Sequence, residues 1–220
     1  MHALARVLHV TSVGLWFGAA VFFSFVVGLS LFATFERLSG LPREERPMWM
    51  PVPAVLERDQ PSAAFPKPLR KEQGSRLAGA AVGPMFVWYY GLQVGCGVVA
   101  LLTALAWGSR GRAGWWRVGV VALALAGAGL GWWVERKVEG LRVVRSETSD
   151  AVLVGWAAPG DADDIRGEFG RWHGVSLALN MLTLLLVLAA MVLAAFLPGP
   201  REDSEPEHVE AGSVSVPQTH

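Results

Sequence analysis

Four stretches of this chain carry no Asp, Glu, Lys or Arg: Val7–Phe35, Leu77–Ser109, Val118–Val134 and Trp172–Pro200. Uncharged runs of that length leave few folds open. A helix of roughly 20 apolar residues crosses a hydrocarbon core about 30 Å thick. Within that core every backbone amide must be paired inside its own segment or in a closed barrel. The pattern predicts an all-α, polytopic membrane protein with four transmembrane helices in an up-down bundle. The expected spans are about 7–35, 80–107, 116–134 and 172–197 within a domain covering 1–197.

The third run has only 17 residues, so its flanks matter. Trp115–Trp116 and Trp132–Trp133 bracket it, 17 positions apart, or about 25 Å along a helix. Tryptophan favours both membrane interfaces, and Arg117 has the length to snorkel outward. An early Arg6 resembles a signal-peptide n-region, but the apolar run after it is 29 residues, against about 7–15 in a cleaved segment. The first helix is expected to remain as an anchor.

Between the spans the chain changes character. An insert at 38–74 is rich in proline, with seven between Pro42 and Pro68, and is expected to be extended with little core of its own. A charged loop is expected at 135–171, opening with a helical extension, and a disordered acidic tail at 198–220. Asp161, Asp163 and Asp164 read as a solvated helix start in preference to a cation site. Four crossings put both termini and the short turn at Gly108–Gly114 on one side, A, and the two long connections on side B. Side B carries fourteen Lys and Arg against five on side A, which favours side B in the cytoplasm. The expected location is the plasma (inner) membrane, with the bilayer as first partner.

Composition removes other classes. Charged residues are only 17% and the net charge is zero, which gives no sign of a nucleic-acid partner. One cysteine, Cys96, excludes an intrachain disulfide and a multi-cysteine zinc site. No Ser/His/Asp set, deep carboxylate pair or phosphate loop is present, so an enzyme is not expected.

Three glycine pairs, Gly14/Gly18, Gly91/Gly95 and Gly127/Gly131, each put two notches on one helix face, where backbones can approach closely. We expect them to pack within the chain. A membrane-protein partner or a second copy is the alternative.

Polar groups inside lipid are costly and are default site candidates. In the fourth span His173, Ser176, Asn180 and Thr183 recur within roughly an 80° arc. Such a stripe faces the bundle, either to hydrogen-bond neighbouring helices or to line a solute path. Helix direction places Glu135, Tyr89 and Tyr90 near His173 and Ser176 at side B, so one polar cluster of Glu135, His173, Ser176, Asn180, Tyr89 and Tyr90 is expected. His9, Trp16, Gln93 and Cys96 form a secondary set. His9 and His173 lie near opposite interfaces, so one haem iron cannot take both. No cofactor is predicted, and a haem on one histidine or a soft metal stays open.

The first span reads His9-Val-Thr-Ser-Val-Gly-Leu-Trp16-Phe-Gly18. The second holds Tyr89-Tyr90 and Gly95-Cys96, and the third ends Trp133-Val-Glu135-Arg136. The fourth opens Phe169-Gly-Arg-Trp-His173-Gly-Val-Ser176, with Asn180. Together these resemble the transmembrane protein 205-like family, a four-helix membrane domain of largely unknown function, over roughly 5–36, 76–145 and 165–197. The resemblance implies an integral membrane protein without an assigned reaction. One branch of the family is discussed as handling soft metal complexes, for which Cys96 and nearby methionines would be the donors here. The His-x6-Trp-x-Gly pattern of the first span also bears a remote likeness to copper-resistance inner-membrane proteins and membrane protoporphyrinogen oxidases. The leading expectation is a small-solute or soft-metal transport or transport-accessory module with its polar path on the fourth helix. The alternatives are a structural or interaction subunit, and a haem- or metal-linked redox protein.

Overall fold

The computed structural model describes residues 2–41, 45, 47, 67–108, 112–153 and 155–196, and among them there is no strand. Helix α1 (His2–Val21), a π-helical segment (Phe22–Gly28) and α2 (Leu29–Gly40) follow without a break; α3 (Lys67–Gly108), α4 (Arg112–Leu153) and α5 (Pro159–Ala195) complete the order. Four helical rods are long and apolar enough to cross a membrane: Ala3–Gly40, Gln73–Ala106, Gly114–Val152 and Gly160–Ala195.

The rods outrun the expected spans. Helices α3 and α4 have 42 residues each, about 63 Å of helix and roughly twice a hydrocarbon core. The segment 135–171, expected to open with a helical extension and go on as a charged loop, stays helical to Leu153 and is helical again from Pro159. Its Glu, Arg and Lys residues are good helix formers, and no proline interrupts it before Pro159. Helix also begins at Lys67, inside the expected insert 38–74, and α2 includes Leu38–Gly40. The rest of that insert, apart from residues 41, 45 and 47, and the tail 198–220 lie outside the described residues.

The α4–α5 turn has a clear local cause. Gly155 sits at φ 78°, where glycine escapes the Cβ penalty. Its N–H donates to Val152 O at 3.1 Å and the Trp156 N–H to Ala151 O at 2.8 Å, the paired bonds of a Schellman end. Pro159 then opens α5, and the Asp161 carboxylate accepts the Ala158 N–H at 3.1 Å.

Contacts run in opposite order along each neighbouring pair of rods. His9 meets Ala100 and Thr103, Trp16 meets Gln93, and Ser39 lies against Gly74. Arg76 reaches Asp150, Tyr90 covers Gly131, and Leu125 meets Gly97. Glu135 meets Ser176, Thr183 covers Gly127, and Arg117 reaches Leu193 and Phe196. Arg117 therefore does not snorkel outward. It is buried, and its guanidinium donates to the Leu193 and Phe196 carbonyls at 3.2 and 2.8 Å, capping the negative end of α5.

The apolar core of the bundle joins Val13, Trp16, Ala100, Val121, Ala124, Ala128, Val187 and Ala190, with Cys96 packed beside it. A tight point beside it is Gly97. A Cβ there would lie 2.8 Å from both the Trp16 ring and the Leu125 methyl. A Cβ at Gly74 would be closer still to a neighbour, 2.6 Å from the Ser39 hydroxyl, and 2.8 Å from the Phe35 carbonyl oxygen. The expectation that all three glycine pairs pack within the chain needs correction. Gly127 and Gly131 do, against Thr183 and Tyr90, but nothing of the described chain lies within 4 Å of a Cβ built at Gly14, Gly18, Gly91 or Gly95. On a helix each of those pairs sits opposite an inward residue, Trp16 or Gln93, at about 100° per residue.

Replacing Gly97 with Ala is expected to lower stability by about 1–3 kcal/mol through overpacking against a locked indole. Gly91→Ala, in open space, is expected to raise helix stability by up to about 1 kcal/mol. Thermal melts of the two variants in detergent check the contrast.

Candidate functional site

The side chains between the helices form a polar column that starts among the charged helix ends and stops near mid-length. At its outer end Arg76 on α3 donates to the Asp150 carboxylate at 2.7 Å and to the Ser146 carbonyl at 3.3 Å on α4. Arg142 lies in a trough made by two glycines, 3.1 Å from a Cβ at Gly79 and 3.5 Å from one at Gly83. Its guanidinium donates to one Glu135 oxygen at 3.3 Å, and the Ser176 hydroxyl donates to the other at 3.1 Å. Glu135 is 5% exposed, so both its oxygens are held where an unpaired charge would be costly. Tyr90 stands beside this pair with its hydroxyl 3.2 Å from a Cβ at Gly131.

His173 lies at the same level but is not hydrogen-bonded to Glu135. Its ring stacks on Phe169, centroids 5.6 Å apart, and the Arg145 guanidinium lies 5.1 Å from the Phe169 ring centre. The charges of Arg142 and Arg145 both act on the imidazole. Its Nδ1 is buried without a partner among the described residues.

One turn deeper is a second set. The Tyr89 hydroxyl donates to Asn180 Oδ1 at 2.5 Å, and Asn180 Nδ2 donates to Ser24 Oγ at 2.7 Å. Phe23 stacks on Tyr89 with centroids 4.2 Å apart. The expected single cluster is thus two hydrogen-bonded sets, Glu135–Ser176–Arg142 and Tyr89–Asn180–Ser24. The rings of Tyr89 and Tyr90 join them edge to face at 5.2 Å. Deepest are Gln93 and Thr183. Trp16 Nε1 donates to Gln93 Oε1 at 3.1 Å. Gln93 is 0% exposed, and its Nε2 has no partner among the described residues. Beyond it the apolar core around Val13, Val121 and Val187 closes the column.

His9 lies on the far side of that seal. Its Nδ1 is 2.9 Å from Thr103 Oγ1 and 3.1 Å from the Ala100 carbonyl. Thr103 gives its proton to the Val99 or Ala100 carbonyl, so Nδ1–H of His9 is the donor. Among the described residues no three His, Cys, Asp or Glu side chains converge as a metal site. The acids near the α4–α5 turn line an open cavity of about 580 Å³ with Glu147, Thr148, Asp161 and Asp164, while Asp163 pairs with Arg166.

Sequence reasoning missed Ser24, Arg142 and Gly97. On an uninterrupted α-helix Ser24 would lie about 80° from Trp16. The π-helical segment shifts that register, and π-bulges concentrate at functional sites. The Gly79–Gly83 spacing was a signal for the Arg142 trough, because two glycines four apart open one face.

No family model, no curated protein and no solved structure matches this chain.

Arg142→Met leaves Glu135 buried with Ser176 alone and is expected to cost about 2–4 kcal/mol, somewhat under the value for a fully dry pair. Combining it with Glu135→Gln should recover most of that loss. A double-mutant cycle on detergent melts reads the coupling.

Proposed function

We propose that this chain is an integral membrane protein of the transmembrane protein 205-like type, acting as a transport or transport-accessory module. Its four rods cross the bilayer up and down, and a small polar solute enters from side B along the inward face of α5. The carrying observation is the column itself: His173, Glu135/Ser176, Tyr89/Asn180/Ser24 and Gln93 succeed one another inward and end on an apolar seal. Ionisable and amide side chains in a membrane bundle mark solute pathways by default. A column closed at one end fits a state open to side B alone, and passage requires the Trp16–Val13–Val187 seal to open.

The opposed contact order of neighbouring rods supports the up-down arrangement. So does the belt at the side-B boundary, where Trp133 is exposed, Arg136 lies over Trp132 and Lys137 over Trp172; indoles and cations gather at headgroup level. The proposed membrane is the plasma (inner) membrane, with side B in the cytoplasm.

A second reading, an interaction subunit of a membrane assembly, draws on Gly14, Gly18, Gly91 and Gly95, whose open notches suit a helix of another chain.

Two measurements check the proposal. Single cysteines placed by Ala3→Cys and Ser215→Cys in a Cys96→Ala background should be labelled from the same side of sealed vesicles. Labelling from opposite sides removes the four-span bundle. In proteoliposomes Asn180→Leu should abolish solute flux while losing at most about 1–2 kcal/mol of stability. Full flux in that variant removes the path and leaves the bundle.

A further inference from the structure

The hydrogen-bond chemistry at the closed end of the column is lopsided. Gln93 Oε1 already accepts from Trp16, while Nε2, fully buried, makes no well-formed hydrogen bond among the described residues and has the Tyr89 oxygen near it. Asn180 uses its oxygen for Tyr89 and one amide proton for Ser24, which leaves a second N–H. Ser24 accepts from Asn180, and its own hydroxyl faces the Tyr89 oxygen. Tyr89 gives its proton to Asn180, so its oxygen is the one acceptor that Ser24 and Gln93 share. Donors are left over, and a buried unsatisfied donor costs about 1–3 kcal/mol.

Charge points the same way. All four apolar runs lack Asp and Glu, so no carboxylate lies deeper than Glu135. Glu135 itself is held by Arg142 and Ser176. At the outer end the Arg142 and Arg145 guanidiniums act on His173, whose Nδ1 also lacks a partner among the described residues. A cation moving inward passes Glu135, already held by Arg142 and Ser176, and then meets only amide donors. An anion passes the Arg142 and Arg145 guanidiniums and then meets N–H groups that outnumber the acceptors beside them, the kind of lining by which pores select anions.

We propose that the closed end of the column, at Gln93 with Asn180 and Ser24, binds a small monovalent anion of chloride size that enters from side B past Arg142 and Arg145. This rests on reading the column as a solute site. It adds the sign and size of the solute. A doubly charged anion would bring more charge into the bundle than these neutral donors and two outlying arginines balance.

The full chain supports a binding test and a flux test that separate the two readings. In detergent, the parent protein should melt higher in sodium chloride than in sodium gluconate at equal ionic strength. The rise should be roughly 3 °C or more once chloride exceeds its dissociation constant tenfold. Gln93→Met, which removes both amide protons, should erase that difference whatever it does to the melt itself. If Gln93→Met does not fold, Gln93→Glu, which keeps an oxygen for Trp16, should show the same loss.

In liposomes loaded with potassium chloride, valinomycin should release chloride through the parent protein at least tenfold faster than through Gln93→Met. Chloride stabilisation that depends on Gln93, without flux, upholds the anion site and removes transport. Movement of rubidium or sorbitol with no chloride effect overturns the anion site and keeps the path. A chloride effect unchanged by Gln93 substitution, or neither effect at all, overturns the proposal.

Discussion

The indole of Trp16 lying over Gly97 sets the geometry on which the rest of the bundle depends. Gly97 gives the indole a place where any Cβ would intrude, so α1 and α3 come close enough for Trp16 Nε1 to reach Gln93. That contact fixes the rotation of both helices. Once Trp16 and Gln93 point inward, Gly14, Gly18, Gly91 and Gly95 must point away from that contact, because residues two apart on a helix lie about 200° round the axis. The same rotation turns Tyr89 toward Asn180 and Tyr90 over Gly131. One aromatic–glycine contact thus decides which faces are packed and which stay open.

Outside the apolar lengths a different force takes over. The helices continue as charged rods, and side chains pair across the gaps, Arg76 with Asp150 and Lys137 with Glu168, while Arg142 reaches back along its own helix to Glu135. Exposed pairs of this kind add little stability each. Arg142 differs because it is threaded through the Gly79–Gly83 trough and holds a buried carboxylate. It ties α3 to α4 at the level where the polar column begins, so the mouth of the column is also a structural joint.

The column and its seal give the proposed function a physical shape. Polar side chains continue from Arg142 to Gln93 and then give way to valines and alanines. Gln93 Nε2 stands at the inner end of this series without a well-formed hydrogen bond among the described residues. The π-helical segment sits beside this point. It turns Phe23 onto Tyr89 and Ser24 onto Asn180.

The four rods were legible in the sequence because lack of charge over seventeen or more residues is a local property, readable without knowing what packs against what. Much of the inward stripe was legible too, since Ser176 and Thr183 lie two helical turns apart and both are buried. The charged loop was misread because helix propensity in 135–171 is real while its polarity looks like a connection. The glycine pairs were not legible: spacing shows that two notches share a face, and it is silent on which neighbour, if any, fills them. Ser24 was hidden by a change of register that no α-helical period reveals. Sequence by itself therefore determined the number and apolar character of the helices, because lack of charge and backbone pairing act within each segment. Only the tertiary structure decided how each helix is rotated, and with it the column, the orphan amide and the open notches, because rotation is set by contacts between residues far apart in the chain.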